Sequence, residues 1–246
     1  MRGHGDEHAA GTVSRPHGRV VVVQGLSRSS TWVVMAAFNE GRVIRSVVRE
    51  LVAEGWSVVV TDDGSQDDTF EQASGPGVVV LRHVLNLGQG AALQTGIDYA
   101  VLQGAAHIVT FDADRQHDAA AIPRLLEALA DADIALGSRF LGHVEGARRP
   151  RRALLQLAVI VSNVLIGIKL TDAHCGLRAF RASAAPALRM TQERMAHASE
   201  LLRKVARSGL RVVEVPVTIR YSNYSTAKGQ RGVEAVRIMF DYLFRG

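Results

Sequence analysis

The chain has 246 residues, 47% apolar and 22% charged, enough for one packed α/β domain and inconsistent with a wholly disordered chain. Its single cysteine, Cys175, excludes an internal disulfide framework and a multi-cysteine metal site, and fits a reducing compartment. The net charge of +5 is uneven: Arg139 to Arg152 holds five arginines against one glutamate, and Arg203 onward nine Lys or Arg against three acids, clusters that suit phosphates, anionic lipid, nucleic acid or simply a solvated surface.

Residues 1–18 are polar and lack the apolar centre of a secretion signal. They read as an arm that extends to residue 31, with a candidate edge strand over 19–24. From Trp32 short apolar runs alternate with helical patterns. Strands are predicted at 32–38, 56–61, 78–83, 107–111 and 134–137. Helices are predicted at 39–54, briefly after Ser65, at 90–103 and at 119–130. This order predicts a mainly parallel sheet with helices on both faces, in which ligands bind beyond the carboxyl ends of the strands. An Arg-rich apolar helix is predicted over 148–168, then a strand within 174–181 and a helix at 199–208. An extended segment follows at 210–221, where Pro216 points to an edge or a bulge. A polar loop at 222–232 and an amphipathic helix at 233–246 close the chain. The apolar run 153–168 contains Gln156, Ser162 and Asn163 and is shorter than the ~20 residues of a spanning helix. Cytoplasmic placement is expected, with contact at the inner face of a membrane or with a membrane partner.

Three polar clusters fall at predicted strand ends: Asn39-Glu40, Asp62-Asp63 and Asp112-Ala113-Asp114. Two carboxylates as close as Asp112 and Asp114 repel unless a cation lies between them, and oxygen ligands suit Mg2+ or Mn2+. The same residues also suit a turn and a helix cap. Carboxylates at Asp62 and Asp63 can accept from a base N–H or ribose hydroxyls, while Ser65 or Asp67 caps the following helix. Asn86-Leu87-Gly88-Gln89-Gly90 opens a helix with glycines that permit tight backbone geometry. It is not the phosphate loop of ATPases, since no Gly-Lys-Ser/Thr follows.

Taken in order, Ala36-Ala37-Phe38-Asn39-Glu40, Asp62-Asp63-Gly64-Ser65, Asn86-Leu87-Gly88-Gln89-Gly90 and Phe111-Asp112-Ala113-Asp114-Arg115-Gln116-His117 resemble the family 2 glycosyltransferases. Gly137-Ser138-Arg139-Phe140, Thr171-Asp172, Gly176-Leu177-Arg178-Ala179-Phe180, Ser199-Glu200-Leu201-Leu202 and Glu214-Val215-Pro216-Val217 continue the match. Within that family the chain looks most like the dolichyl- and polyprenyl-phosphate mannosyl- or glucosyltransferases. The resemblance implies an α/β GT-A fold, with a mainly parallel mixed sheet flanked by helices and a catalytic domain over 32–232. It implies a metal-dependent, inverting hexosyl transfer from a GDP-mannose or UDP-glucose type donor to a polyprenyl phosphate. A saccharide or small-molecule acceptor in cell-envelope polysaccharide synthesis is the alternative.

Position by position, the resemblance implies that Ala36, Phe38, Glu40, Asp62, Asp63, Asn86, Gly88 and Gly90 line the nucleotide-sugar site. It implies that Asp112, Asp114 and Gln116 hold the metal, and that Lys228 closes over the diphosphate. Arg139, with Arg151 and Arg152 from the cluster that also holds Arg148 and Arg149, would meet the acceptor phosphate. Asp172 and Glu200 both stand as candidate bases. Two departures stand out: Ala36 replaces a usual proline, and Arg115 replaces a common glycine, where it can narrow the site or add a phosphate contact. The chain ends at Gly246 without the membrane helices of many such enzymes, so the apolar helix from Ala153 is the expected docking element. A nucleic-acid module is disfavoured, since aromatic residues are only 5% and no stacking-platform motif is present.

Overall fold

The computed structural model describes residues 13–15, 18–20, 30–146, 149–190 and 197–221. Strands β1 (Val13–Arg15) and β2 (Gly18–Val20) pair antiparallel in a ribbon separate from the main sheet. Of the edge strand expected over 19–24, only residues 19 and 20 are described, and they lie in β2 paired with β1. Residues 21–29 lie outside the described set.

The main sheet is built from β3 (Thr31–Ala37), β4 (Ser57–Asp62), β5 (Val78–Arg82), β6 (His107–Thr110), β7 (Ile134–Glu145), β8 (Arg178–Arg181) and β9 (Val212–Arg220). Their order is β5-β4-β3-β6-β8-β7-β9. Strand β8 runs antiparallel to both neighbours, and every other pairing is parallel. The strands are apolar on both faces because both faces are covered, as parallel sheets require. Alternation along β3 makes this concrete: Val33, Met35 and Ala37 join one core, Trp32 and Val34 the other. Helices α1 (Ile44–Ala53), α2 (Thr69–Ala73) and α4 (Ile122–Ala128) pack on the first face through Ile44, Leu51, Ala73, Ile122 and Leu125. Helices α3 (Gln89–Leu102), α5 (Arg149–Ile166) and α6 (His197–Ser208) cover the second through Leu93, Ile97, Val159, Leu202 and Val205.

Several boundaries differ from the sequence expectations for physical reasons. Helix α1 starts at Ile44 because Asn39 adopts a left-handed φ of 54° and a turn intervenes; Asn is one of the few residues that visit this region readily. Strand β7 continues to Glu145, past the expected end at Gly137, because it pairs along β9 beyond a register shift between Ser138 and His143. Pro216 lies on β9, the outer strand, beside the register shift, as expected for a residue without an N–H. Helix α5 ends at Ile166, two residues early: the Asn163 side chain turns inward, donating to the Leu170 carbonyl (2.7 Å) and accepting from its N–H (3.2 Å). No helix among the described residues is long and apolar enough to cross a membrane. The expected loop and helix over 222–246, including Lys228, lie outside the described residues.

Candidate active site

The carboxyl ends of β3, β4 and β5 carry loops that lock into one another. Asn39 N–H donates to Ser65 Oγ (2.9 Å), and Gln66 N–H donates back to Asn39 Oδ1 (3.0 Å). Glu40 N–H donates to Thr69 Oγ1 (2.7 Å) and Gly41 N–H to Asp67 Oδ2 (3.1 Å), while Thr69 donates through N–H and hydroxyl to Asp67 Oδ1. Ser65, Asp67 and Thr69 therefore brace the segment Phe38-Asn39-Glu40, in which Phe38 is exposed and Glu40 buried. Asp62 is buried beneath, accepting from Ser65 N–H (3.0 Å) and paired with Arg82 Nε (3.2 Å). Asp63 accepts from Leu87 N–H (2.9 Å) and Gly88 N–H (2.8 Å) and lies 2.7 Å from His83 Nδ1. It thus fixes the Asn86-Leu87-Gly88 loop that leads to Gly90 in the first turn of α3. Gly64 makes that approach possible: a Cβ there would stand 2.7 Å from the Leu85 backbone, and its φ is 71°.

Asp112 and Asp114 follow β6 directly. His117 Nε2 lies 2.7 Å from Asp112 Oδ2, with its ring edge-on to Phe111. Gln116 donates to Asp114 through its backbone N–H (3.1 Å) and its side-chain amide. Burial, with the Asp112 carboxylate beside it, pushes Asp114 up to about 6. Two crowded carboxylates, one of them short of countercharge, together with an amide oxygen form a donor set that suits a hard divalent cation. Among the described residues no group of three or more His, Cys, Asp or Glu forms a closed metal cage. A cation held here would complete its shell from substrate or solvent oxygens.

Arg115 adopts a left-handed φ of 63° between Asp114 and Gln116, a conformation costing a side-chain-bearing residue about 1–2 kcal/mol. Gly176 closes the other side: a Cβ there would stand 2.2 Å from Asp112 Oδ2. Gly176→Ala must displace that carboxylate and is expected to lower kcat about 100-fold while the circular dichroism of the fold persists. An alanine variant with unchanged turnover would remove Asp112 from the reaction.

Ser138 and Arg139 of β7 face the Thr171-Asp172 turn. Asp172 Oδ2 accepts from the Arg139 backbone N–H (3.0 Å) and Nε (2.6 Å), and Oδ1 accepts from His174 N–H (3.1 Å). Arg139 also donates to Tyr221 Oη (2.8 Å). Burial opposes its charge, but Asp172, with Cys175 and Tyr221 nearby, holds the guanidinium above its usual range. Glu214 clasps the turn from β9, accepting from Thr171 N–H (2.8 Å), Thr171 Oγ1 (2.8 Å) and Asp172 N–H (3.0 Å). Burial pushes the Cys175 thiol up to about 12, so it stays a neutral packing group. Cys175 is in electrostatic contact with both Asp172 and Asp112, and a Cβ on Gly176 would meet Asp112, so the Arg139–Asp172 pair and the carboxylate loop adjoin.

Residues 32–189 match glycosyl transferase family 2. The chain belongs to that family. It is 29% identical to a UDP-N-acetylglucosamine--dolichyl-phosphate N-acetylglucosaminyltransferase of Methanococcus voltae, over 86% of this chain and 94% of that one. It is 30% identical to an undecaprenyl-phosphate mannosyltransferase of Micrococcus luteus, over 76% of this chain and 80% of that one. A crystal structure of glucosyl-3-phosphoglycerate synthase from Mycobacterium tuberculosis with Mn2+, UDP-glucose and phosphoglyceric acid superposes with a TM-score of 0.59 at 21% identity, covering 85% of this chain and 78% of that one. The sheet is accordingly of the GT-A type, and the molecule is a glycosyltransferase.

The remaining expected site residues of this glycosyltransferase sit on α6, α5 and β3. Glu200 is buried in the first turn of α6, paired with Lys204 Nζ at 2.8 Å. Arg151 and Arg152 fall in the first turns of α5, with their side chains outside the described set, as is Arg148 entirely. Ala36 is half-buried at the end of β3. Glu214 and Tyr221 went unread as site residues, because neither joins its partners until β9 is laid beside β7. The cue to Glu214 in the sequence is its place in the Glu214-Val215-Pro216-Val217 run, which carries the family resemblance but names no partner.

Proposed function

We propose that this glycosyltransferase moves a hexose from a nucleoside-diphosphate sugar of the GDP-mannose or UDP-glucose type to a polyprenyl phosphate, with inversion at the anomeric carbon. The observation that carries this reading is the buried Arg139 guanidinium, held by Asp172 and Tyr221 and adjoining the Asp112-Asp114 loop. An arginine so placed suits a phosphate oxygen better than a neutral sugar hydroxyl.

In this reading Ala36, Phe38, Glu40 and Asp62 line the nucleotide pocket. Asp63 serves it by holding the Asn86-Gly88 loop, and Lys228 closes over the diphosphate. Asp112, Asp114 and Gln116 would hold Mg2+ or Mn2+. When bound, such an ion supplies charge neutralisation for the leaving nucleoside diphosphate. Arg139, aided by Arg151 and Arg152, orients the acceptor phosphate for attack on the face opposite the leaving group. The new bond joins the anomeric carbon to a phosphate oxygen, and the electron pair of the broken bond departs on the nucleoside diphosphate. A phosphate monoester is already anionic near neutral pH, so no strong base is required. Asp172 then acts by holding Arg139, its oxygens being engaged by three donors of this chain. Glu200, tied to Lys204, is assigned no proton.

Access to the lipid is proposed through α5. Leu157, Ile160 and Val164 are 51%, 59% and 76% exposed and share one helix face by their spacing. The sequence places Arg148, Arg149, Arg151 and Arg152 before this face and Lys169 after it, a pattern suited to the anionic inner surface of a membrane. The test is acceptor choice: a short polyprenyl phosphate, the corresponding unphosphorylated polyprenol and a panel of soluble saccharides are offered with each donor. Transfer to the lipid phosphate alone is expected. Transfer to a saccharide with the lipid phosphate inert would replace this reading with the cell-envelope polysaccharide alternative.

A further inference from the structure

We propose that Arg115 binds a phosphate oxygen of the substrate and so sets affinity at this site, an inference that rests on the transfer reaction proposed above. The turn around it is fixed from both sides. Asp114 is tied to Gln116, the Gln116 carbonyl accepts from Arg220 N–H of β9 (2.9 Å), and His117 is held by Asp112 while it bridges Ile219. These anchors impose the left-handed φ of 63° on residue 115. Such strain persists only where the surroundings over-determine it, and it concentrates at functional positions.

If the turn were all that mattered, glycine would adopt this φ without strain. The chain instead puts there a long cation whose side chain is exposed and makes no hydrogen bond or ion pair among the described residues. Its sequence neighbour Asp114 is engaged by Gln116, and Asp112 by His117, so neither carboxylate consumes the charge. An exposed guanidinium adjoining Asp114 and three residues from Asp112, the carboxylates proposed to meet a diphosphate, is matched to phosphate oxygens by charge and by its planar donor fork. Two phosphates come to this site in the proposed reaction, the donor diphosphate and the acceptor monophosphate. Arg115 is assigned their shared chemistry.

The experiment measures calorimetric binding with Mn2+ for wild type, Arg115→Gly and Arg115→Lys. The probes are UDP and GDP in one arm and a short polyprenyl phosphate in detergent in the other. Uridine and guanosine serve as phosphate-free controls, and thermal melts accompany each variant. Arg115→Gly is expected to weaken one phosphate arm about tenfold, and that arm identifies which phosphate is bound. The controls should keep wild-type affinity, the lysine variant should recover part of the loss, and Arg115→Gly should melt no lower than wild type. Equal affinity of wild type and Arg115→Gly in both phosphate arms would overturn the inference. So would an equal loss for the nucleoside controls, which would mark a general distortion of the site. A wild-type protein that binds neither nucleotide nor lipid phosphate would overturn the transfer reading itself, and the inference with it.

Discussion

Asp114→Asn is expected to lower turnover about 1000-fold while making the metal-free protein more stable at pH 7 by about 1–3 kcal/mol. Burial and Asp112 raise the Asp114 carboxyl from the ordinary 3.8 to about 6. Between those values the folded protein keeps a proton that the unfolded chain has lost. The raised pKa therefore contributes stability that is fully present below about pH 4 and is lost as pH rises through about 6. Above that, the metal-free fold carries a half-buried anion beside a second one. Asparagine keeps an oxygen for Gln116 and removes the charge. Denaturant titrations in chelator at pH 4 and pH 7 should show the gain at pH 7 and little difference at pH 4. A variant less stable than wild type at both pH values would contradict this electrostatic account of the loop. Retention of turnover would take Asp114 out of the reaction.

Asp172→Ala is expected to cost about 3–5 kcal/mol of stability, because it strands the buried Arg139 guanidinium without its counter-ion. Pairing it with Arg139→Met should recover a large part of that loss. The rest should persist, since the Arg139 and His174 backbone N–H groups lose their acceptor. Urea midpoints of the single and double variants measure the recovery, and a single-variant loss below about 1 kcal/mol would mean that the pair is not held as described. Asp172→Asn separates holding from proton transfer. A holder of Arg139 predicts a raised KM for the lipid phosphate with a pH–rate profile of unchanged shape. A base predicts a collapse of kcat and the disappearance of the profile's acidic limb.

Much of this arrangement was readable from the chain because parallel strands buried on both faces leave long apolar runs. Trp32–Phe38 and Val58–Val60 are such runs, and polar clusters end them at the carboxyl edge of the sheet, where ligands are expected. The direction of β8 was not readable: Arg178–Arg181 is four residues long, and its antiparallel pairing with β6 and β7 depends on where the turn at Thr171–Gly176 delivers it. The far half of β7 carries no continuous apolar run, since residues 140–145 are half-buried or exposed, and pairing with β9 alone keeps them extended. The same holds within the site. Asp62 and Asp63 stand out in the sequence as a pair. That Asp63 is spent on the Leu87 and Gly88 amides, and Asp67 on the Gly41 amide, is decided only by loops 20 or more residues apart coming together. Arg139 stands out in the sequence only through the Gly-Ser-Arg resemblance, which implies a phosphate contact for it. Its dependence on Asp172, Glu214 and Tyr221 is a product of tertiary packing.

The most direct test of the central claim is a donor screen read by nucleoside-diphosphate release. The intact protein is given Mn2+ or Mg2+, each common nucleotide sugar in turn, and a short polyprenyl phosphate or none. The account predicts that one donor releases its nucleoside diphosphate only when the lipid phosphate is present, and that the sugar appears on that lipid. Release of pyrophosphate would point to nucleotidyl transfer and contradict it. So would silence across the whole panel from a folded, metal-binding protein offered anionic membrane vesicles.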